Sequence, residues 1–175
     1  HAAFALIERT RILMNELHIN FGEAAEITKA SSVFTTHTPV PAGNEEFTLE
    51  RLNNYLSTYI DTLGIGKEDF VSFGQTNGFD NTGKFSMTIL GLRMSAYRNG
   101  VSKLHGEVAR KMWSGLWENY SEEDTPIKGL TNGVHTHTWL ARELSELYDR
   151  YLSPNWRYET DNKNIWNKID NIPAE

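Results

Sequence analysis

The 175 residues are 39% hydrophobic and 23% charged, enough apolar content for one soluble globular domain or parts of two. A formal net charge of −6, with no cluster of Lys or Arg, argues against nucleic acid as the main partner, because phosphate binding needs grouped cations. The absence of cysteine removes disulfides and thiolate metal sites, and no apolar run reaches the roughly 18 residues that span a bilayer or opens the chain as a signal peptide, so the reading is cytoplasmic with no membrane partner.

The chain opens at His1 directly in a helical pattern, which reads as a segment excised from a longer product. Ala3, Leu6, Thr10, Leu13 and Leu17 recur at three-and-four spacing and predict an amphipathic helix from Ala3 to Leu17. A shorter helix over 22–30 then feeds a predicted buried strand at 32–36. There an apolar, β-branched run is halted by Pro39, Pro41 and Gly43. His37 therefore stands where a strand stops, and in parallel α/β sheets that is where ligands are met. Thr48 is placed to cap a helix with the stripe Leu49, Leu52, Leu56, Tyr59, Ile60 and Leu63, closed by Gly64.

Residues 65–84, rich in Gly, Asn and Asp, predict a long loop with one helical turn. Lys84 to Ala96 is apolar on nearly every face and predicts a buried helix. RNGVS at 98–102 reads as a turn leading into a very short strand. A helix from Lys103 to Trp117 follows, with Leu104, Val108, Met112 and Leu116 on one side. Beyond an acidic loop at 121–125, a short strand is predicted at 126–130, then an irregular turn. A helix from Thr138 to Leu152 turns Leu140, Leu144, Leu147, Tyr148 and Tyr151 inward, and a last one spans 161–170. Short strands alternating with helices predict an α/β fold with a mostly parallel sheet. Only about three strands are visible, few for an independent sheet.

Three irregular segments gather small residues and polar side chains at strand ends: THTPVPAG at 36–43, NGVSKLHGE at 99–107 and TNGVHTHTWL at 131–140. A polyhydroxylated ligand is read by such amides, imidazoles and main-chain groups, and Gly lets the backbone come close. The plainer reading is that His37 satisfies buried backbone and that the NG dipeptides are turns. His135 and His137 form an H-x-H pair with no third metal ligand nearby in sequence. His18 reads as a surface or packed residue. Glu45 with Glu46 and Glu122 with Glu123 offer paired carboxylates for glycoside hydrolysis, yet both pairs fall in loops that read as solvated. No G-x-S-x-G, Walker or G-x-G-x-x-G motif is present.

In their order and separation, FTTHTPVPAGN, NGVSKLHGEVARKMW and LTNGVHTHTWL resemble blocks of the α-glucan phosphorylases, the glycogen and maltodextrin phosphorylases. HAAFALIERTR resembles the end of a family segment that normally reads N-x-x-H-A-A-F. The resemblance implies a helix-rich, partial Rossmann-like α/β piece with few short parallel strands, cut from a two-domain glycosyltransferase of far greater length. Residues 1–131 would be the late part of the N-terminal domain and 132–175 the start of the C-terminal one. The parent would transfer the terminal α-1,4-glucosyl unit of a glucan to orthophosphate, giving glucose 1-phosphate. It would carry pyridoxal phosphate, which works through its 5′-phosphate, and it would assemble as a homo-oligomer.

By motif, His37 and Asn132 would hold the hydroxymethyl group of the glucosyl unit, His37 mainly through its carbonyl. His1 would line the pocket beside the anomeric carbon, and Asn99 and Gly100, grouped with these three as substrate-binding residues, would shape the turn near the cofactor cavity. The resemblance assigns no catalytic, cofactor-binding or metal residue to these 175, so the isolated chain is expected to bind no pyridoxal phosphate and to be inactive. His137 departs from the pattern, standing where Pro is usual. The alternatives are a non-catalytic carbohydrate-binding or scaffold domain and a fragment of a nucleotide-sugar glucan synthase; the latter would show a Lys-rich loop, which is absent from this sequence.

Overall fold

Residues 2–40, 43–75 and 83–173 are described by the computed structural model of the chain. α1 (Phe4–Leu17) buries Ile7 and Thr10, with Phe4 and Met14 partly covered, and leaves Leu17 51% exposed. The inward stripe is therefore rotated toward Phe4 and Ile7 from the predicted one. His18 ends the helix in the left-handed region (φ 55°) and is exposed. α2 (Phe21–Ala30) begins with reciprocal hydrogen bonds between Asn20 and Glu23. The two helices are joined inside by the Thr10 and Thr28 hydroxyls, 3.0 Å apart and fully buried.

β1 (Val33–Thr36) follows α2, and β2 (Glu46–Thr48) leads into α3 (Leu49–Asp61), where Thr48 Oγ1 accepts from the Arg51 N–H as its spacing predicted. α4 (Lys67–Ser72) is the single turn expected in the loop. The predicted helix at 84–96 is split. Lys84–Ser86 is β3, paired antiparallel with β2, and only Met87–Arg93 forms a helix, α5, with Met87 through Leu92 all buried. Phe85, fully buried, explains the split: its ring stacks on Phe70 and Phe4, and a pleat serves that contact.

β4 (Tyr97–Gly100) is itself a strand, not a turn before one, and it is central in a parallel sheet of order β1-β4-β5, where β5 is Lys128–Gly129. β1 lies at the sheet's edge and is only partly buried, with Val33 65% exposed, unlike the buried strand predicted. α6 (Lys103–Trp113) passes into a 3-10 turn at Ser114–Leu116. Its inward residues are His105, Gly106 and Ala109, with Trp113 and Leu116 partly covered, whereas Leu104 is 70% exposed. The predicted stripe was displaced by one residue, because a glycine and a histidine carry no apolar signal.

These elements belong to the first of two units, His1–Asn132 and Gly133–Glu175. In the second, the predicted helix at 138–152 is broken into α7 (Thr136–Trp139) and α8 (Arg142–Tyr151), and α9 (Lys163–Trp166) runs into a 3-10 turn at Asn167–Asn171. The core of this unit is Leu152, Trp156 and Ile165, with Tyr148 and Trp166 edge-on to the Trp156 ring. The chain is a helix-rich α/β protein with a few short parallel strands, a partial Rossmann-like architecture. Among the described residues no helix is long and apolar enough to cross a membrane.

Candidate functional site

The parallel register sets Thr36 beside Gly100 and Gly100 beside Gly129, so three chain segments leave the sheet at adjacent points on one edge. Neighbouring strands lie about 4.8 Å apart, which puts all three exits within reach of one small ligand. Past the strands the alignment persists. Leu130 N–H donates to the Gly100 carbonyl (2.9 Å) and Asn132 N–H to that of Val101 (3.1 Å). Residues 36–38, 99–102 and 129–133 contain no Asp, Glu, Lys or Arg and offer neutral polar groups and main chain, while the exposed Lys103 that begins α6 packs its backbone against Gly129 at the same edge.

His37 and Asn132 are both exposed there. Behind His37 the loop is tied locally: Thr38 Oγ1 accepts from Val40 N–H (3.1 Å), and Asn44 donates to the Val40 carbonyl (3.3 Å) while accepting from the Thr88 hydroxyl (2.7 Å). Asn99 is different. It is buried, with Oδ1 accepting from Thr35 Oγ1 (3.0 Å) and Nδ2 donating to the Gly100 carbonyl (3.4 Å), so its amide braces β1 against β4. His1 lies outside the described residues.

Glycine makes this edge compact. A Cβ on Gly106 would fall 2.7 Å from Gly129 Cα, and one on Gly100 would fall 3.0 Å from Gly106 N. The first turn of α6 therefore rests directly on the ends of β4 and β5. Ser102 caps that turn, its Oγ accepting from His105 N–H (3.0 Å). His105, which sequence reasoning missed, is 8% exposed and its Nδ1 accepts from Val101 N–H at 3.3 Å. The Ser-x-x-His spacing at a strand-to-helix junction was the available signal. On β4, Arg98 lies over the Trp117 ring at 5.1 Å, and burial pushes its pKa below the ordinary value.

The remaining candidates lie elsewhere or are engaged. His135 Nδ1 is 2.7 Å from Thr138 Oγ1, and His137 Nε2 is 3.2 Å from the Arg157 carbonyl, its ring 5.5 Å from that of Trp156. Among the described residues no group of three or more potential ligands gathers for a metal. Glu46 is in β2, 3.3 Å from Lys84 Nζ, and Glu122 and Glu123 are exposed. An aldimine with pyridoxal phosphate needs a lysine in an enclosed site. Seven of the eight lysines are exposed, and the eighth, Lys29, is half-buried with Nζ 3.8 Å from Glu26. The lysines of this chain do not fit the cofactor.

Residues 1–171 match the family model described as carbohydrate phosphorylase. The chain is 38% identical over its whole length to a maltodextrin phosphorylase of Thermococcus litoralis, of which it covers 20%. It is 39% identical over 84% of its length to a glycogen phosphorylase of Mycobacterium tuberculosis and 36% identical over 90% to one of Aquifex aeolicus, covering 17% and 22% of those proteins. The chain thus spans about a fifth of the length of these relatives.

Proposed function

The chain belongs to the carbohydrate phosphorylase family, and from that premise we propose that it forms part of the donor-sugar subsite of an α-glucan phosphorylase. That enzyme transfers the terminal α-1,4-glucosyl unit of glycogen or maltodextrin to orthophosphate and releases glucose 1-phosphate. Residues 1–131 are assigned to the late part of its N-terminal domain and 132–175 to the start of its C-terminal domain. The observation that carries the reading is the parallel register of β1, β4 and β5, from whose one edge the segments bearing His37 and Asn132 both leave.

The residues work by binding and orienting. A hydroxymethyl group both donates and accepts, so the His37 carbonyl would accept its O–H while the Asn132 amide donates to its oxygen. Neither group carries charge, which suits a neutral sugar held at a fixed angle to whatever attacks its anomeric carbon. Asn99 and Gly100 shape the turn from behind. His1 is assigned to the pocket beside the anomeric carbon.

Pyridoxal phosphate belongs to the whole enzyme and is assigned to none of these lysines. The isolated 175 residues are expected to be inactive. The same reading makes the parent a cytoplasmic homo-oligomer acting on α-1,4-glucan and orthophosphate, with no nucleic-acid or membrane partner.

The test is phosphorolysis by the full-length protein. With maltoheptaose and orthophosphate it should form glucose 1-phosphate, and Asn132→Ala should lower kcat/KM by about tenfold or more, the ordinary worth of a hydrogen bond in a binding site, with unchanged Tm. No glucose 1-phosphate from the full-length protein, or an indifferent Asn132→Ala variant, would refute the assignment.

A further inference from the structure

We infer that His105 is a positioning residue for Asn132, acting through the backbone N–H and C=O of Val101. The inference rests on the sugar-site reading only for its functional consequence; the mechanical link stands on hydrogen bonds within residues 100–132. His105 Nδ1 accepts from Val101 N–H (3.3 Å), and the Val101 carbonyl accepts from Asn132 N–H (3.1 Å). One residue thus carries the imidazole's position to the backbone of the proposed sugar-binding amide. His105 is itself fixed from both sides. Its own N–H is held by Ser102 Oγ at 3.0 Å, and a Cβ on Gly100 would come within 3.2 Å of its ring carbon Cγ, so the ring packs against the end of β4.

The chemistry of the ring argues that this contact is its purpose. An Nδ1 that accepts an N–H keeps its lone pair, so the ring proton sits on Nε2. Nε2 is buried and has no hydrogen-bond partner among the described residues. A phenylalanine would fill the same space without orphaning a donor, and only the acceptor at Nδ1 distinguishes the histidine from it. Burial of an unpaired donor is the cost that the Val101 contact offsets.

Three variants of the full-length protein separate the possibilities. His105→Asn keeps an acceptor near the position of Nδ1, His105→Gln reaches instead toward Nε2, and His105→Phe keeps bulk with neither. Hydrogen–deuterium exchange, which needs no activity, is read in the peptide containing 129–133 and in the peptide containing α1. His105→Phe and His105→Gln should speed exchange at 129–133 by about tenfold, the loss of one ordinary hydrogen bond, with α1 unchanged, and His105→Asn should restore protection.

Unchanged exchange in His105→Phe overturns the inference. So does equal acceleration in α1, which marks a merely structural role, or rescue by Gln rather than Asn, which moves the role to Nε2. The maltoheptaose KM of the same variants should rise in the order of their exchange, with kcat less affected. If exchange behaves as expected but the wild-type protein forms no glucose 1-phosphate, the positioning link stands and the sugar-site reading falls. If phosphorolysis depends on Asn132 yet exchange ignores His105→Phe, only this inference falls.

Discussion

Around Phe85 the interior is filled by rings, and around Gly106 it is filled by backbone. Phe85 is fully buried between Phe70 and Phe4, with ring centroids 5.6 and 6.2 Å away, and Leu90, Leu63 and Ile60 belong to the same cluster. At Gly106 a helix turn meets two strand ends so closely that no Cβ fits, and the groups in contact are peptide units, a serine hydroxyl and an imidazole. The first arrangement stores stability in apolar area, which degrades by degrees as atoms are removed. The second stores geometry, which a single added methyl group breaks. Stability and site precision are thus separable in this chain, and substitutions should sort accordingly.

The largest expected effect is in the ring-filled region. Phe85→Ala should cost about 3–5 kcal/mol of unfolding free energy, read as a fall in the urea midpoint. The molecules that remain folded should keep the maltoheptaose KM of the full-length enzyme, and a raised KM would erase the distinction between the two regions. Gly106→Ala comes next. Alanine for glycine inside a helix ordinarily gains about 1 kcal/mol. Here the sign should reverse to a loss of about 1–3 kcal/mol, because the methyl meets Gly129 at 2.7 Å. A stabilised Gly106→Ala variant would show that α6 does not rest on β5 as described.

A matched pair sharpens the contrast at lower energy. Thr48 caps α3 and Ser102 caps α6, and alanine at either should cost about 1 kcal/mol by thermal denaturation. Only Ser102→Ala should also raise the glucan KM, since only that cap holds His105. Smallest is an acid effect at the rim of the ring-filled region. Hydrogen bonds from Arg11 and then Tyr59 lower the Glu8 pKa from the ordinary 4.5 to about 2. A carboxylate depressed in the folded state adds stability above its unfolded value, and that stability is lost as pH falls from about 4.5 toward about 2. Glu8→Gln should therefore flatten the stability profile across that window, lowering the melting temperature slightly at neutral pH and leaving it nearly unchanged near pH 2.

Legibility in the sequence followed the same division. Where apolar side chains do the packing, periodicity found the element, α3 with its Thr48 cap and Gly64 terminator; the turn at α4 came from loop composition and the strand after α2 from its β-branched run. It failed at Lys84 to Ala96, where a run apolar on all faces hides the change from strand to helix at Ser86. Around the strand ends it placed β5 but took the central β4 for a turn and set the α6 stripe one residue off, because Asn99, Gly100, His105 and Gly106 are buried for reasons other than hydrophobicity. The motifs around His37 and Asn132 were visible as strand-end loops. That they serve one ligand was implied by the family resemblance alone and not by spacing, since the strand pairing behind it joins Thr35 to Asn99, 64 residues apart in sequence.

The most direct test is a crystal structure of the full-length enzyme with glucose in its donor subsite. The account predicts the hydroxymethyl oxygen within hydrogen-bond distance of both the His37 carbonyl and the Asn132 side chain, above the ends of β1, β4 and β5. A sugar bound without either contact, or His37 and Asn132 opening onto separate surfaces of the assembled enzyme, would contradict it.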